Sequence, residues 1–340
     1  MDRRPAVIVD PAFRRVDEIF DEATWATLHE RFEVLWGRDE PMPTEHLLEA
    51  LPRADAIVYA DWRHGVVALD ESPVRAVLEV AGGFEEHGLG LVGLVERGVR
   101  VGSCAPSFGR VVAEMALALA LAGRRGVVAA DRAMRERTER WLHDGNRTNA
   151  TLVGATVGFV GAGGISVRLQ ELLEPFRVRI LAYDPPAGDA ALRARGIEPV
   201  ELDALLNRAD VVFVLAAPTP ENRHLLDATR LGRLRSDQLL VLVSRAHLVD
   251  FAAMTELVTA GRFAVATDVF PNEPLGSDHP IRDAERAICV PHLAGALPDA
   301  LLDIGRSVLA DLTAIFDGGT PDAMQYLGPD NLAGLLQRRG

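Results

Sequence analysis

The chain of 340 residues is 48% hydrophobic and 25% charged, which is typical of a globular protein and allows two domains with separate cores. Its net charge of −13 argues against nucleic acid as a partner, because phosphate neutralisation needs a basic face. Cys104 and Cys289 are too few for a disulfide framework or a zinc site, so we expect no metal and a reducing, cytoplasmic location. The longest apolar helix, near 111–123, contains Glu114 and is too short to span a bilayer, so we expect no membrane association.

Residues 5 to about 103 alternate between strand-like and helical patterns. The predicted helices are 25–32 and 44–51, the second with Thr44 as N-cap. Alternation at this length predicts a parallel sheet. The predicted strands are 6–9, 32–36, 56–59, 74–80 and 98–101.

A long apolar helix over 106–125 follows and is expected to connect two domains. Residues 126–155 are richer in charge and read as an extended arm or loop, with Trp141 packing at a subunit or domain contact. The α/β alternation then resumes to about residue 297, followed by a helix over 301–316 that returns to the first domain and a short helix near 331–337. The predicted strands of this second stretch are 156–160, 178–183, 211–216, 239–243, 264–267 and 287–290.

A glycine turn separates the strand at 156–160 from the helix after it. Gly161 would let the chain turn sharply, Gly163 would let a pyrophosphate approach the backbone, and the helix start would offer free N–H groups. Asp184 ends the next strand, where a carboxylate can bind the adenosine ribose hydroxyls and repel a 2′-phosphate. This pattern predicts an NAD site, although Ser166 stands at the position of the third glycine.

Ionisable residues follow successive strands of the second stretch, where the carboxyl ends of a parallel sheet form a ligand crevice. Arg245 is a fixed cation that could hold a carboxylate or a carbonyl oxygen. His292 could deliver a proton to a developing alkoxide. Glu273 could pair with His292, orient it and favour its protonated form. With Asp268 nearby in the sequence, this set suits hydride transfer to a 2-oxo acid.

These motifs resemble those of the D-isomer-specific 2-hydroxyacid dehydrogenase family, over nearly the whole chain. The resemblance implies that Arg245, Glu273 and His292 are the catalytic residues and that Asp268 contacts the nicotinamide amide. The matching motifs are V-V-A-E ending at Glu114, V-G-F-V-G-A-G-G-I, Y-D-P ending at Pro185, P-T-P-E-N at 218–222, S-R-A from Ser244, D-V-F-x-N-E-P at 268–274 and P-H-x-A-G at 291–295. The cofactor contacts that follow are Gly161, Ala162, Gly163, Gly164, Ile165, Asp184, Pro185, Ala217, Pro218, Asn222, Val243, Ser244, Arg245, Asp268, His292 and Gly295.

The resemblance also implies the architecture. We expect an α/β protein of two Rossmann-like domains with parallel sheets and a cleft between them. A flavodoxin-like substrate domain would comprise 1–104 and 298–340, and the NAD-binding domain 105–297. The family usually forms a homodimer through the NAD-binding domain.

Several positions depart from the family pattern and concern the substrate. Leu242 and Phe108 replace usual asparagines, and Ala246 replaces a glycine. The substrate loop, residues 82–90, is divergent, but its N–H groups around Gly83 and Phe84 are expected to bind the substrate carboxylate together with Arg245. Since Phe108, Leu242 and Phe84 offer apolar surface, we expect 2-oxo acids larger or more apolar than pyruvate to be preferred. His87 and Glu86 in the same loop would instead favour a polar substrate.

Three functions fit these residues to different degrees. The first is an NAD-dependent D-2-hydroxyacid dehydrogenase, acting mainly as a 2-oxoacid reductase on a small acid. The second is an NAD(H)-sensing binding protein that resembles the C-terminal binding protein corepressors, which dimerise with cofactor without needing turnover. The third, an S-adenosylmethionine methyltransferase, shares the glycine turn and the ribose acid but leaves Arg245, Glu273 and His292 unexplained.

Overall fold

The computed structural model describes residues 3–69, 72–84 and 88–328. In chain order the strands are β1 Ala6–Asp10, β2 Glu33–Gly37, β3 Ala56–Tyr59, β4 Ala76–Glu79, β5 Arg100–Ser103, β6 Thr156–Val160, β7 Arg179–Tyr183, β8 Glu198–Pro199, β9 Val211–Val214, β10 Leu239–Leu242, β11 Ala264–Thr267, β12 Ala287–Cys289 and β13 Gln325–Tyr326. The helices are α1 Val16–Ile19, α2 Glu22–Arg31, α3 Thr44–Ala50, α4 Leu91–Glu96, α5 Ala105–Arg124, α6 Val127–Glu136, α7 Gly164–Leu173, α8 Asp189–Ala194, α9 Leu202–Arg208, α10 Ala228–Leu231, α11 Phe251–Thr259 and α12 Pro298–Phe316.

The chain divides into two compact units. The first unit comprises Met1–Phe108 and Ala296–Gly340, and the second comprises Gly109–Gly295. Each unit contains one sheet with its own buried residues, as expected for a chain of this length.

The first unit holds a six-stranded sheet in the order β13-β5-β4-β3-β1-β2. Its five strands β2-β1-β3-β4-β5 are parallel and follow the flavodoxin-like order. Every residue of β1, β3 and β4 is buried, which is what a parallel sheet covered on both faces requires. On one face α12 packs closely: a Cβ at Gly305 would lie 2.1 Å from the carbonyl oxygen of Ile19, so only glycine fits there.

The second unit holds a seven-stranded, all-parallel sheet in the order β12-β11-β10-β9-β6-β7-β8. This is the Rossmann order with one further strand. The order reverses between β6 and β9, and ligands of such sheets bind at the carboxyl ends of the strands near this reversal. The predicted α/β class with two Rossmann-like sheets is confirmed.

Several local predictions need correction. Residues 127–136 form α6 instead of an extended arm, although none of its side chains is buried. Pro43, and not Thr44, is the N-cap of α3, and the Thr44 hydroxyl lies 2.9 Å from Nδ1 of His64. Strand β13 pairs antiparallel with β5, so the first sheet is not wholly parallel. Helices α8 to α11 were not predicted. The helix expected near 331–337 lies outside the described residues, and so do residues 85–87.

The apolar helix α5 agrees with the helix predicted over 106–125 and extends beyond the apolar stretch at 111–123. It runs over twenty residues, Ala105–Arg124, and is long and apolar enough to cross a membrane by length and composition. The expectation that it is too short is therefore wrong. One helix of this kind is weak evidence for a membrane span, because core helices of soluble proteins have the same length and composition.

Candidate active site

The glycine turn after β6 has the geometry that a dinucleotide needs. Gly161 has φ +95°, and a Cβ there would lie 2.4 Å from the backbone nitrogen of Ala216, so the position requires glycine. Gly163 is the N-cap of α7 and has no side-chain cap. A Cβ at Gly163 or Gly164 would meet open space, so a ligand can reach the backbone at this helix start.

Asp184 lies beside this turn at the carboxyl end of β7. Its Oδ2 accepts a hydrogen bond from the Ala162 N–H at 2.5 Å, and its Oδ1 accepts one from Ala187 at 3.1 Å. The carboxylate is therefore fixed next to the open helix start, where it can still accept hydrogen bonds from hydroxyl groups. The residues present fit an adenine dinucleotide with a free 2′-hydroxyl.

Arg195 bonds to the glycine turn, and the sequence did not point to it. Its guanidinium donates to the carbonyl oxygen of Ala162 at 2.7 Å and to Oγ of Ser166 at 3.1 Å, and it also contacts Gln170. Ser166 is fully buried and donates its own hydroxyl to the Gly163 carbonyl at 2.7 Å. Serine in place of the third glycine is thus bonded to the turn and to an arginine from the end of α8. Burial lowers the pKa of Arg195, and nearby Asp184 opposes this effect.

The loop after β9 is held together by its own side chains. The Asn222 amide donates to the Ala217 carbonyl at 2.8 Å and accepts from the Thr219 N–H at 2.8 Å. Nε2 of His247 lies 2.7 Å from the Thr219 carbonyl. Asn222 therefore orders the backbone of the loop that contains Pro218, and His247 is a further residue that the sequence did not point to.

Ser244 and Arg245 follow β10. The Ser244 hydroxyl is buried and has no hydrogen-bond partner within the described part of the chain. Arg245 is exposed and donates to the Ser244 carbonyl at 2.8 Å, and among the described residues it forms no ion pair.

Glu273 and His292 form the pair that the sequence predicts. Oε2 of Glu273 lies 2.6 Å from Nδ1 of His292, and its Oε1 accepts from the Phe270 N–H at 2.9 Å. His292 has φ +52°, a left-handed conformation that is uncommon for a residue with a side chain. Such conformations cluster at functional sites, where the surrounding structure holds them in place. Here the His292 N–H donates to the Val290 carbonyl at 2.9 Å.

Asp268 fixes the segment that contains His292. Its buried carboxylate accepts hydrogen bonds from the N–H groups of Leu293 at 2.8 Å and Ala294 at 3.0 Å. Burial raises the pKa of Asp268, while these two hydrogen bonds and His292 oppose that shift. Asp268 therefore ties the end of β11 to the loop after β12.

The predicted site residues of the second unit share one edge of its sheet. Each follows the carboxyl end of a strand, which is the edge where ligands of parallel sheets bind. The remaining predicted contacts lie on the same loops: Ile165 on α7, Pro185 after β7, Ala217 and Pro218 after β9, Val243 after β10, and Gly295 after β12.

In the first unit, a buried carboxylate takes the loop donors that were expected to bind substrate. Glu79, at the end of β4, accepts hydrogen bonds from the N–H groups of Ala81, Gly82 at 3.0 Å and Gly83 at 2.9 Å, and from the Ser103 hydroxyl at 2.8 Å. The N–H group of Gly83 is thus bonded within the chain, which differs from its expected role toward the substrate. Burial raises the pKa of Glu79 to about 7.

The sequence predicts apolar surface toward the substrate from three residues, and one of them is fully buried. Leu242 has no exposed surface and lies in the core of the second unit, so its expected contact with substrate is wrong. The Phe108 ring lies against Gly82, where a Cβ would come within 2.9 Å of it. Phe84 is partly buried against the core of the first unit, and Ala246 is buried. Leu242 and Ala246 are thus packing substitutions.

Comparison with known proteins gives the same family as the sequence motifs. Residues 117–294 match the model of the D-isomer specific 2-hydroxyacid dehydrogenase NAD binding domain. The chain is 33% identical to a D-3-phosphoglycerate dehydrogenase of Mycobacterium bovis over 90% of its own length, but it spans only 57% of that relative. It is 28% identical to a glyoxylate reductase of Thermofilum pendens, covering 94% of this chain and 92% of that one.

A solved structure of a phosphoglycerate oxidoreductase from Rhizobium etli superposes with a TM-score of 0.82. It is 33% identical in sequence and covers 96% of this chain and 99% of its own. The family match covers more than half of the chain and includes the glycine turn, Asp184, Arg245, Glu273 and His292. The chain therefore belongs to the D-isomer specific 2-hydroxyacid dehydrogenase family and contains its NAD binding domain.

Proposed function

We propose that this protein is an NAD-dependent D-2-hydroxyacid dehydrogenase that acts as a 2-oxoacid reductase. The observation that carries the proposal is the 2.6 Å contact between Glu273 and His292, in the unit that also holds the glycine turn and Asp184. The names of the relatives, glyoxylate reductase and D-3-phosphoglycerate dehydrogenase, support a small 2-oxo or 2-hydroxy acid as substrate.

In this proposal His292 is the general acid and base. When bound, NADH supplies the hydride that reduces the carbonyl carbon. Glu273 accepts the Nδ1 proton of His292 in a hydrogen bond, so Nε2 is the ring nitrogen that donates a proton to the carbonyl oxygen. Glu273 also favours the protonated ring, because an adjacent carboxylate stabilises imidazolium.

Arg245 and the first unit's loop are the proposed substrate contacts. Among the described residues the Arg245 guanidinium has one hydrogen bond, to Ser244, so its remaining donors can bind the substrate carboxylate or polarise the carbonyl. Since the Gly83 N–H is bonded to Glu79, the backbone of Phe84 is the substrate contact in this loop, and Gly83 shapes the loop.

Turnover with the wild-type protein and with His292→Ala tests this function. A panel of 2-oxo acids of graded size is followed by NADH absorbance, with NADH binding measured by fluorescence. His292→Ala is expected to lose about 10²–10⁴-fold in kcat and to retain NADH binding. His46→Ala, an exposed histidine of α3, is the control.

Two outcomes would contradict the proposal. Near-normal kcat in His292→Ala would show that this residue is not the acid. No turnover with any 2-oxo acid, together with cofactor-dependent dimerisation, would favour the NAD(H)-sensing role instead.

We further propose a homodimer formed through the NAD-binding domain. Helix α6 has no buried side chain, and its apolar Val127 and Met134 are 55% and 52% exposed. Trp141 and Leu142, just beyond it, are 69% and 84% exposed. Exposed apolar residues concentrated in one segment are typical of an interaction surface. Light scattering is expected to give twice the chain mass, and Trp141→Ser with Leu142→Ser is expected to give the monomer.

A cytoplasmic location is proposed from the exposed free thiol of Cys289.

A further inference from the structure

Arg14 lies at the carboxyl edge of the first unit's sheet, just after β1. Its Nε donates to the Val80 carbonyl at 3.2 Å, so the guanidinium lies beside the chain that leaves β4. The guanidinium carbon is 5.6 Å from the centre of the Phe108 ring and 5.2 Å from that of Phe13. Phe108 in turn lies against Gly82, so the cation is placed next to the start of the substrate loop.

This cation is partly buried and has few partners. Among residues 3–69, 72–84 and 88–328, its terminal nitrogens have no hydrogen bond and the guanidinium forms no ion pair. Burial lowers the pKa of Arg14, but arginine remains protonated in proteins. A partly buried guanidinium with a fixed Nε and free terminal nitrogens can bind a carboxylate through two parallel hydrogen bonds.

The other charged and titratable groups near Arg14 are already bonded or neutral. Glu79 bonds to three loop N–H groups and to Ser103. Glu18 accepts from the Arg15 N–H at 3.2 Å. Burial keeps the Cys104 thiol protonated by raising its pKa. Within the described part of the chain, Arg14 therefore keeps donors that are available to an anion at this edge.

We propose that Arg14 binds a carboxylate of the substrate, in place of the loop N–H groups that Glu79 occupies. The inference rests on the proposed function, since it takes the substrate to be a 2-oxo acid. It assigns a specificity-determining residue to the first unit. The carboxylate is either the one next to the carbonyl or a second one further along the substrate.

The test compares wild type, Arg14→Gln and Arg14→Lys, with Arg15→Gln as the matched control. Arg15 is the adjacent residue and is exposed, with its guanidinium on Asp17. Steady-state rates are measured with pyruvate and with oxaloacetate, and oxamate binding to the NADH-loaded protein is measured by calorimetry. NADH affinity and thermal unfolding are recorded for every variant.

Arg14→Gln is expected to raise KM and the oxamate Kd about ten-fold or more, with kcat and NADH affinity unchanged. Arg14→Lys is expected to give KM and Kd values between those of wild type and Arg14→Gln, because lysine keeps the charge but lacks the two parallel donors of the guanidinium. Arg15→Gln is expected to match wild type. An equal rise in KM for pyruvate and oxaloacetate identifies the carboxylate next to the carbonyl. A rise in KM for oxaloacetate alone identifies a second carboxylate. Both results support the inference.

Other results separate the inference from the proposed function. Unchanged KM and oxamate Kd in Arg14→Gln overturn the inference and leave the reductase function intact. Oxamate binding that depends on Arg14 without turnover supports the inference and overturns the function. Absence of oxamate binding in the wild type, or a ten-fold loss of NADH affinity in Arg14→Gln, also overturns the inference.

Discussion

Nδ1 of His292 lies 2.6 Å from Oε2 of Glu273, and the other Glu273 oxygen is held by the Phe270 N–H. The carboxylate is thereby held by the backbone and contacts the imidazole, and the His292 backbone has a left-handed conformation. A pair held this way orients the ring and favours one charge state. Changing the carboxylate alone separates these two effects.

Glu273→Gln keeps the shape of the side chain but removes the charge that favours imidazolium. Losing this charge next to the ring is expected to lower kcat with NADH and a turned-over 2-oxo acid by about ten-fold. Glu273→Asp retains the charge and is the control for position. An unchanged kcat in Glu273→Gln would remove this residue from the role.

Asp184 is expected to make NADH the preferred cofactor over NADPH. A 2′-phosphate would lie close to the carboxylate, and repulsion between them is expected to lower kcat/KM with NADPH by about ten-fold or more. Asp184→Asn removes the charge but keeps an acceptor for the Ala162 N–H. It is therefore expected to reduce the difference in kcat/KM between NADH and NADPH without disordering the turn. Equal efficiency of the wild type with both cofactors would contradict this prediction.

Arg195 is expected to act on the cofactor through the glycine turn. Its bonds to the Ala162 carbonyl and the Ser166 hydroxyl hold the segment whose N–H groups face the phosphates. Arg195→Met is expected to weaken NADH binding about ten-fold, with kcat at saturating NADH retained. Arg193→Met, on the same helix and paired with exposed Asp189, is the control. Equal NADH affinities in the two variants would show that the Arg195 bonds do not support the site.

Glu79 is expected to make stability depend on pH. Its pKa rises from 4.5 to about 7 on folding, because burial disfavours the charged form. The folded state therefore binds this proton more tightly, and the stabilisation present below pH 4.5 is lost as the pH rises to about 7. The free energy of unfolding of wild type relative to Glu79→Gln is expected to fall by about 3 kcal/mol between pH 4 and pH 8.

Denaturant unfolding at several pH values measures this difference. Glu96→Gln, a change of an exposed residue in α4, is the control and is expected to follow the wild type. A constant difference between wild type and Glu79→Gln across this range would show that Glu79 titrates at its ordinary value.

The sequence by itself determined which residues follow the strands of the second unit. Buried parallel strands appear in the sequence as short apolar runs. The residues that follow them lie at one edge of the sheet, independent of the conformation of the connecting loops. Gly161, Asp184, Arg245, Glu273 and His292 could be found for this reason, because each is defined by its place after a strand. The family motifs gave the same residues.

Tertiary structure alone decided the contacts of Glu79, Arg195 and Arg14. Glu79 takes its hydrogen bonds from the loop after its own strand and from Ser103 on the neighbouring strand, and Arg195 reaches Ala162 from 33 residues away. An arginine at the end of a helix and a glutamate at the end of a strand have no periodic pattern, so their partners follow only from how the elements pack. Burial also follows from how the elements pack. It places Leu242 in the core. It also raises the pKa of Glu79, because burial disfavours the charged form.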